Sequence, residues 1–227
     1  VKLPRGFTAS GVRSGVRKRR PDLALIVAED GATAAAIFTR NRFPAAPVAL
    51  SRAALRRSGG RVRAAVVNSG CANAITGRAG LAGALRVRRR TAELLRCDPS
   101  EIFLASTGVI GVPLPDARIR AALPDALARL SSGGLEAASQ AILTTDAGPK
   151  IATARFRRGR GFGRIVGFAK GAGMIHPNMA TMLAFLMTDA SAGPAYLHAA
   201  LRRAAAETFN AISVDGDTST NDTVLLM

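Results

Sequence analysis

Four short segments carry apolar side chains at neighbouring positions instead of at every second one. They are LALIV at 23–27, RAAVVN at 63–68, IFLAS at 102–106 and TMLAFLMT at 181–188. A strand wetted on one side alternates apolar and polar residues, whereas a strand covered on both sides does not. The chain therefore calls for strands that look inward on both faces. Between them lie stretches with helical spacing: Val48 to Arg57, Leu81 to Leu95, Ala117 to Leu130 with Pro124 as a point of division, Leu135 to Leu143, and Tyr196 to Phe209. Mixed in this order, the elements predict an α+β fold.

Finer pairings follow from the turn residues. Leu23–Val27 and Ala32–Phe38 flank Glu29-Asp30-Gly31 and read as a hairpin. Ile151 to Arg155 and Phe162 to Gly167 flank a Gly/Arg turn at 158–161 and read as a strand–turn–strand unit. ISVDGDT at 212–218 reads as a strand and tight turn. Val224 to Met227 opens another apolar segment, and a domain seldom finishes inside a strand. The expectation is that further protein follows, and that this apolar end is exposed.

The chain carries 32 basic and 15 acidic residues among 227, a net charge of +17. The basic clusters are short and scattered (RSGVRKRR at 13–20, RVRRR at 86–90, RFRRGRGFGR at 155–164), and only 4% of residues are aromatic. A base-stacking nucleic-acid platform is disfavoured, so no nucleic-acid partner is expected. Such a field still attracts small anionic substrates. Cys71 and Cys97 have neither metal-ligand nor disulfide spacing. No apolar run reaches a membrane span, and Val1 to Arg5 begins no signal peptide with an apolar core. The expectation is a cytoplasmic protein with no membrane contact, no bound metal and no cofactor.

Chemistry concentrates at MIHPNMATMLAF, residues 174–185. A threonine hydroxyl is a weak nucleophile without a base. Cleaving the Ala180-Thr181 bond would give Thr181 such a base in its own α-amine, whose ordinary pKa of about 7.7–8.0 leaves a useful neutral fraction near pH 7. Ala180 is small enough for hydroxyl attack on its carbonyl, and the β-branched Thr181 has a restricted χ1. Read alone, the same threonine also suits a buried strand.

Five segments then occur in order along nearly the whole chain: VVNSGCANAITG at 66–77, STGVIGVPLP at 106–115, ILTTDAGPK at 142–150, KGAGMIHPNMATMLAFLMTDA at 170–190 and FNAISVDGDTSTNDTVLL at 209–226. Together they resemble the bifunctional ornithine acetyltransferase/glutamate N-acetyltransferase family of arginine biosynthesis. The resemblance implies a layered αββα fold, superficially like the N-terminal-nucleophile hydrolases. It implies self-cleavage between Ala180 and Thr181 into an α piece (1–180) and a β piece beginning at Thr181, of which residues 181–227 are present. It implies acetyl transfer from N-acetylornithine to glutamate through acetyl-Thr181; some members also take acetyl-CoA as donor. Oxyanion stabilisation falls to Thr107 and Gly108, and substrate contact to Thr144, Thr145, Lys170 and Thr181. The two pieces are expected to associate as an α2β2 heterotetramer. Lys150 is a second cationic candidate, His176 lies near the scissile bond, and His198 reads as a helix residue.

This chain departs from the family pattern at Cys71, Ile75 and Ala147. Asp215, Asp217 and Asp222 lack calcium-loop spacing, and the run DGDTSTNDT at 215–223 reads as structural and near the active site, without metal. Two other functions remain open at this level. One is a self-cleaving amidase or aminopeptidase of similar fold, with water as acceptor. The other is a non-catalytic, truncated relative with a basic binding surface.

Overall fold

The computed structural model describes residues 1–159, 161–174 and 182–227. In chain order its elements are β1 (Phe7–Val12), β2 (Leu23–Thr33), β3 (Ala35–Phe38), α1 (Ala46–Arg57), β4 (Arg61–Cys71), α2 (Gly77–Leu95), β5 (Ile102–Val109), α3 (Asp116–Ala128), α4 (Leu135–Ala141), β6 (Lys150–Arg158), β7 (Gly161–Lys170), β8 (Leu183–Thr188), α5 (Pro194–Glu207) and β9 (Thr223–Leu226). One sheet has the order β1-β2-β4-β5, the other β3-β9-β8-β7-β6.

The doubly apolar strands explain the layering. Successive residues of β4 face opposite cores: Val67 turns toward the second sheet and Val66 away from it. Between the sheets, Ile26, Val67 and Phe103 meet Val166, Phe168, Phe185 and Leu225. The Phe168 and Phe185 rings stand 5.4 Å apart. Outside the first sheet, Leu25, Val66 and Leu104 share a core with Val87 of α2 and Leu123 of α3. Outside the second, Ala184 and Val224 share one with Leu197 and Leu201 of α5. The arrangement is αββα, as the family resemblance implied. Phe185 is fully buried in the central layer, where truncating a phenylalanine to alanine costs about 3–5 kcal/mol.

Several local expectations give way to tertiary context. Glu29-Asp30-Gly31 does not turn a hairpin: β2 runs through it with a register irregularity between Val27 and Ala32. The next strand, β3, leaves for the other sheet and pairs with β9. Pro124 lies inside α3 without ending it; Leu123 and Ala126 around it are fully buried, so packing holds the turn. Residues 212–218 form no strand, and Ile212 and Val214 stay exposed with no sheet edge to join. The apolar end is not exposed either. Val224 to Met227 is buried, because β9 sits between β3 and β8. The expected strand 181–188 is described from Leu183; Thr181 lies outside the described residues.

The topology gathers strand ends. Parallel β4 and β5 place Ser69 beside Thr107 and Gly70 beside Gly108. Antiparallel β7 and β8 place Lys170 beside Leu183, and parallel β8 and β9 place Leu183 beside Thr223. The polar loop residues that flank these strands therefore converge at one edge of the double sheet.

Candidate active site

A cavity of about 610 Å³ opens at this edge, lined among others by Thr107, Gly108, Thr144, Thr145, Lys170, Met174 and Asn221. Three larger grooves lie elsewhere among the described residues, one of about 720 Å³ beside Val1, Arg155 and Asp189. Another of about 840 Å³ runs between α1 and α5, and an apolar one of about 680 Å³ covers the outer face of β6, β7 and β8. The smaller cavity is the chemical candidate because it collects a buried cation and several hydroxyls.

Lys170 ends β7 and is 3% exposed. Its Nζ donates to Thr107 Oγ1 at 2.9 Å, joining the two sheets. An ammonium has no acceptor, so the threonine oxygen must accept here and its own hydrogen stays available to another group. Burial pushes the Lys170 pKa below the usual lysine value, while the nearby carboxylates of Asp146 and Asp222 pull it back.

Gly108 follows with φ +132°. A Cβ there would lie 2.4 Å from the Gly70 carbonyl carbon and 2.6 Å from the Cys71 nitrogen. Only glycine permits β4 and β5 to approach this closely at their ends. Asn221 fixes the same corner: its Nδ2 donates to Ala72 O at 2.7 Å and to Ser106 O at 2.8 Å. Both amide hydrogens are thereby used, one of them on the peptide group that precedes Thr107.

Asp146 is the anchor of the opposite wall. Its Oδ1 accepts from Lys150 Nζ and from the Gly171 N–H, each at 2.7 Å, and its Oδ2 from the Thr144 N–H at 3.3 Å. Burial alone would raise this carboxyl, but the donors outweigh it and its pKa falls below the usual range. Lys150 is thus tied to Asp146 and lines the apolar groove, not this cavity.

Asp222 is 1% exposed at the start of β9. Its Oδ1 accepts from the Met182 N–H at 3.1 Å, and its backbone O from Thr39 N–H at 2.8 Å. Its Oδ2 is buried with no hydrogen-bond partner among the described residues. Burial pushes the carboxyl up to about 8, against the pull of the Met182 N–H, of the nearby Ser219 and Thr39 hydroxyls and of Lys170.

The structure therefore brings together Thr107, Gly108, Thr144, Thr145 and Lys170. Ala180, Thr181 and His176 lie outside the described residues. His198 is exposed on α5, in the groove beside α1. Cys71 is buried, with its Sγ 3.4 Å from Val112 O; burial raises its pKa and so suppresses the reactive thiolate. Among the described residues no group of three His, Cys, Asp or Glu could hold a metal, and no helix is long and apolar enough to cross a membrane. Sequence reasoning placed the runs that hold Asp146, Asn221 and Asp222 near the site but gave none of these three residues a role in building it. The signal was there in TTD, in the loop between α4 and β6, and in TND, directly before β9.

The model of the ArgJ family matches residues 8–227. The chain belongs to the ArgJ family. It is 48% identical over its full length to the arginine biosynthesis bifunctional protein ArgJ of Chlorobaculum tepidum, and it covers 56% of that protein. It spans about half the length of the curated relatives it matches. Among solved structures it resembles ArgJ of Bacillus halodurans, at 36% identity with a TM-score of 0.74 over 79% of this chain and 95% of that one. It also resembles an ornithine acetyltransferase of Mycobacterium tuberculosis complexed with ornithine, at 34% identity with a TM-score of 0.68 over 78% and 95%. An Ochrobactrum anthropi aminopeptidase of an Ntn-hydrolase fold variant matches the whole chain at a TM-score of 0.63 but only 13% identity, which is a likeness of fold alone.

Proposed function

We propose that this chain forms part of an acetyltransferase that moves the acetyl group of N-acetylornithine to glutamate. The observation that carries the reading is the Lys170–Thr107 contact. It unites, in one cavity, two residues that the family resemblance named separately.

In this reading the Ala180-Thr181 bond is cut first, leaving Thr181 with a free α-amine. The Thr181 hydroxyl then attacks the acetyl carbonyl while the amine takes the hydroxyl proton. The tetrahedral oxyanion receives hydrogen bonds from the free Thr107 hydroxyl and the Gly108 N–H. The bond to the ornithine nitrogen breaks, the proton passes to that nitrogen, and ornithine departs from acetyl-Thr181. Glutamate's amine repeats the attack on the ester, releasing N-acetylglutamate and restoring the hydroxyl. Lys170 keeps Thr107 in the accepting orientation and adds positive charge beside the oxyanion. Thr144 and Thr145 offer hydroxyls to the substrate from the wall held by Asp146.

Two comparisons support this reading, one its substrate and the other its two pieces. One solved relative is an ornithine acetyltransferase complexed with ornithine. Both solved relatives are shorter than this chain, since 95% of each matches under four-fifths of it, whereas the curated relatives are much longer. Acetyl-CoA as a further donor, association as α2β2 and a cytoplasmic location belong to the same proposal.

The test is the intact mass of the complete protein beside Thr181→Ala. The parent should yield two pieces split between Ala180 and Thr181, and the variant one. N-acetylornithine should then add one acetyl group to the piece that starts at Thr181. An uncut parent overturns the reading. Cleavage followed by amide hydrolysis, with no transfer to glutamate, favours an amidase.

A further inference from the structure

Arg17 lines the same cavity, yet in the sequence it is hidden inside the cluster RSGVRKRR. Three contacts build it into the site. First, its backbone is pinned: the N–H groups of Ser14 and Arg17 donate to the two oxygens of Asp22, at 2.5 and 2.6 Å. One carboxylate thereby shapes the loop between β1 and β2. Second, its stem crosses the end of β4. A Cβ on Gly70 would lie 2.6 Å from Arg17 Cγ, so the absent side chain makes the passage. Third, its Nη1 donates to Leu143 O at 2.5 Å, on the residue just before Thr144-Thr145.

Among the described residues the guanidinium is fixed by Leu143 O but not saturated. Five N–H donors are available to an arginine, and Arg17 forms no ion pair among the described residues. No carboxylate is among the described residues lining the cavity. The other cation there, Lys170, is engaged with Thr107. A planar fork with free donors suits a carboxylate better than a point charge does.

The proposed donor and acceptor share one feature. N-acetylornithine and glutamate each carry an α-carboxylate beside the nitrogen that bears or receives the acetyl group. A site that uses them in turn needs one receptor for that group, placed away from the reacting oxygen. We propose that Arg17 is the receptor for the α-carboxylate common to acetyl donor and acceptor. The inference rests on the functional reading above and adds a specificity-determining residue to it.

Calorimetry on the complete protein tests this with two probes, N-acetylornithine and its α-carboxamide. Arg17→Gln keeps a stem and a donor for Leu143 O but removes the charge. It should weaken N-acetylornithine about 10–100-fold and leave the carboxamide within about twofold. Arg17→Lys should recover part of the loss. In turnover, Arg17→Gln should raise KM for both substrates with kcat within about threefold. Equal weakening of acid and amide, or unchanged binding of the acid, overturns the proposal. A parent that favours the acid through Arg17 yet never forms an acetyl-enzyme upholds Arg17 and sinks the transferase reading. A parent that binds neither probe overturns both.

Discussion

Lys170 and Thr107 are 63 positions apart, on different sheets, and meet through one hydrogen bond of 2.9 Å. The direction of that bond sets what the site can do. The lysine donates, the threonine oxygen accepts, and the remaining hydroxyl hydrogen is free to be donated to another group.

Removing the hydroxyl should therefore hurt the chemical step and not the fold. Thr107→Ala is expected to slow acetylation of Thr181 about 10²–10³-fold, the usual loss for one oxyanion donor. Thr107→Ser keeps the donor and should stay within about tenfold of the parent. Single-turnover mass spectrometry measures both. Equal rates for Ala and Ser variants would remove Thr107 from the oxyanion site.

The charge on Lys170 should appear in the pH profile. Burial lowers its pKa, so the ammonium is lost at a lower pH than an ordinary lysine, and acetyl transfer should fall off on the alkaline side. Lys170→Arg stays charged throughout and should move that limb to higher pH. A limb that does not move assigns the titration to another group.

Asp222 should govern the pH dependence of stability. Its ordinary value of 3.8 rises to about 8 in the fold. Between these values the folded chain holds a proton that the unfolded chain has released, so raising the pH favours unfolding. The contribution is full below about 4 and lost as the pH passes about 8. Melting temperature should fall from pH 5 to 9 more steeply in the parent than in Asp222→Asn, which keeps an acceptor for the Met182 N–H. Parallel curves would show that Asp222 does not titrate in this window.

Gly108→Ala should be the most damaging single methyl. Its Cβ would meet backbone atoms of Gly70 and Cys71, at a φ that side chains rarely adopt. Backbone atoms cannot swing aside, so the ends of β4 and β5 must separate. The expected result is loss of self-cleavage and a lowered melting temperature. A fully cleaving, parent-like Gly108→Ala would show that this close approach is dispensable.

The doubly apolar runs determined by themselves that strands would be covered on both faces, because burial is written into each residue's own side chain. Helix types followed from local spacing in the same way. Local pattern does not name a strand's partner. The segment from Leu23 to Phe38 looked like a hairpin, but β3 crossed to the second sheet, where the buried edge of β9 offered a better partner than the turn residues could enforce. The site divides along the same line. The segments containing Thr107, Gly108, Thr144, Thr145 and Lys170 stood out in the sequence through family resemblance. That Lys170 serves Thr107, that Asp146 clamps the neighbouring wall, and that Arg17 passes over Gly70 into the cavity were decided only by tertiary structure. A hydrogen bond between residues distant in sequence depends on how two sheets stack, and no periodicity records that distance.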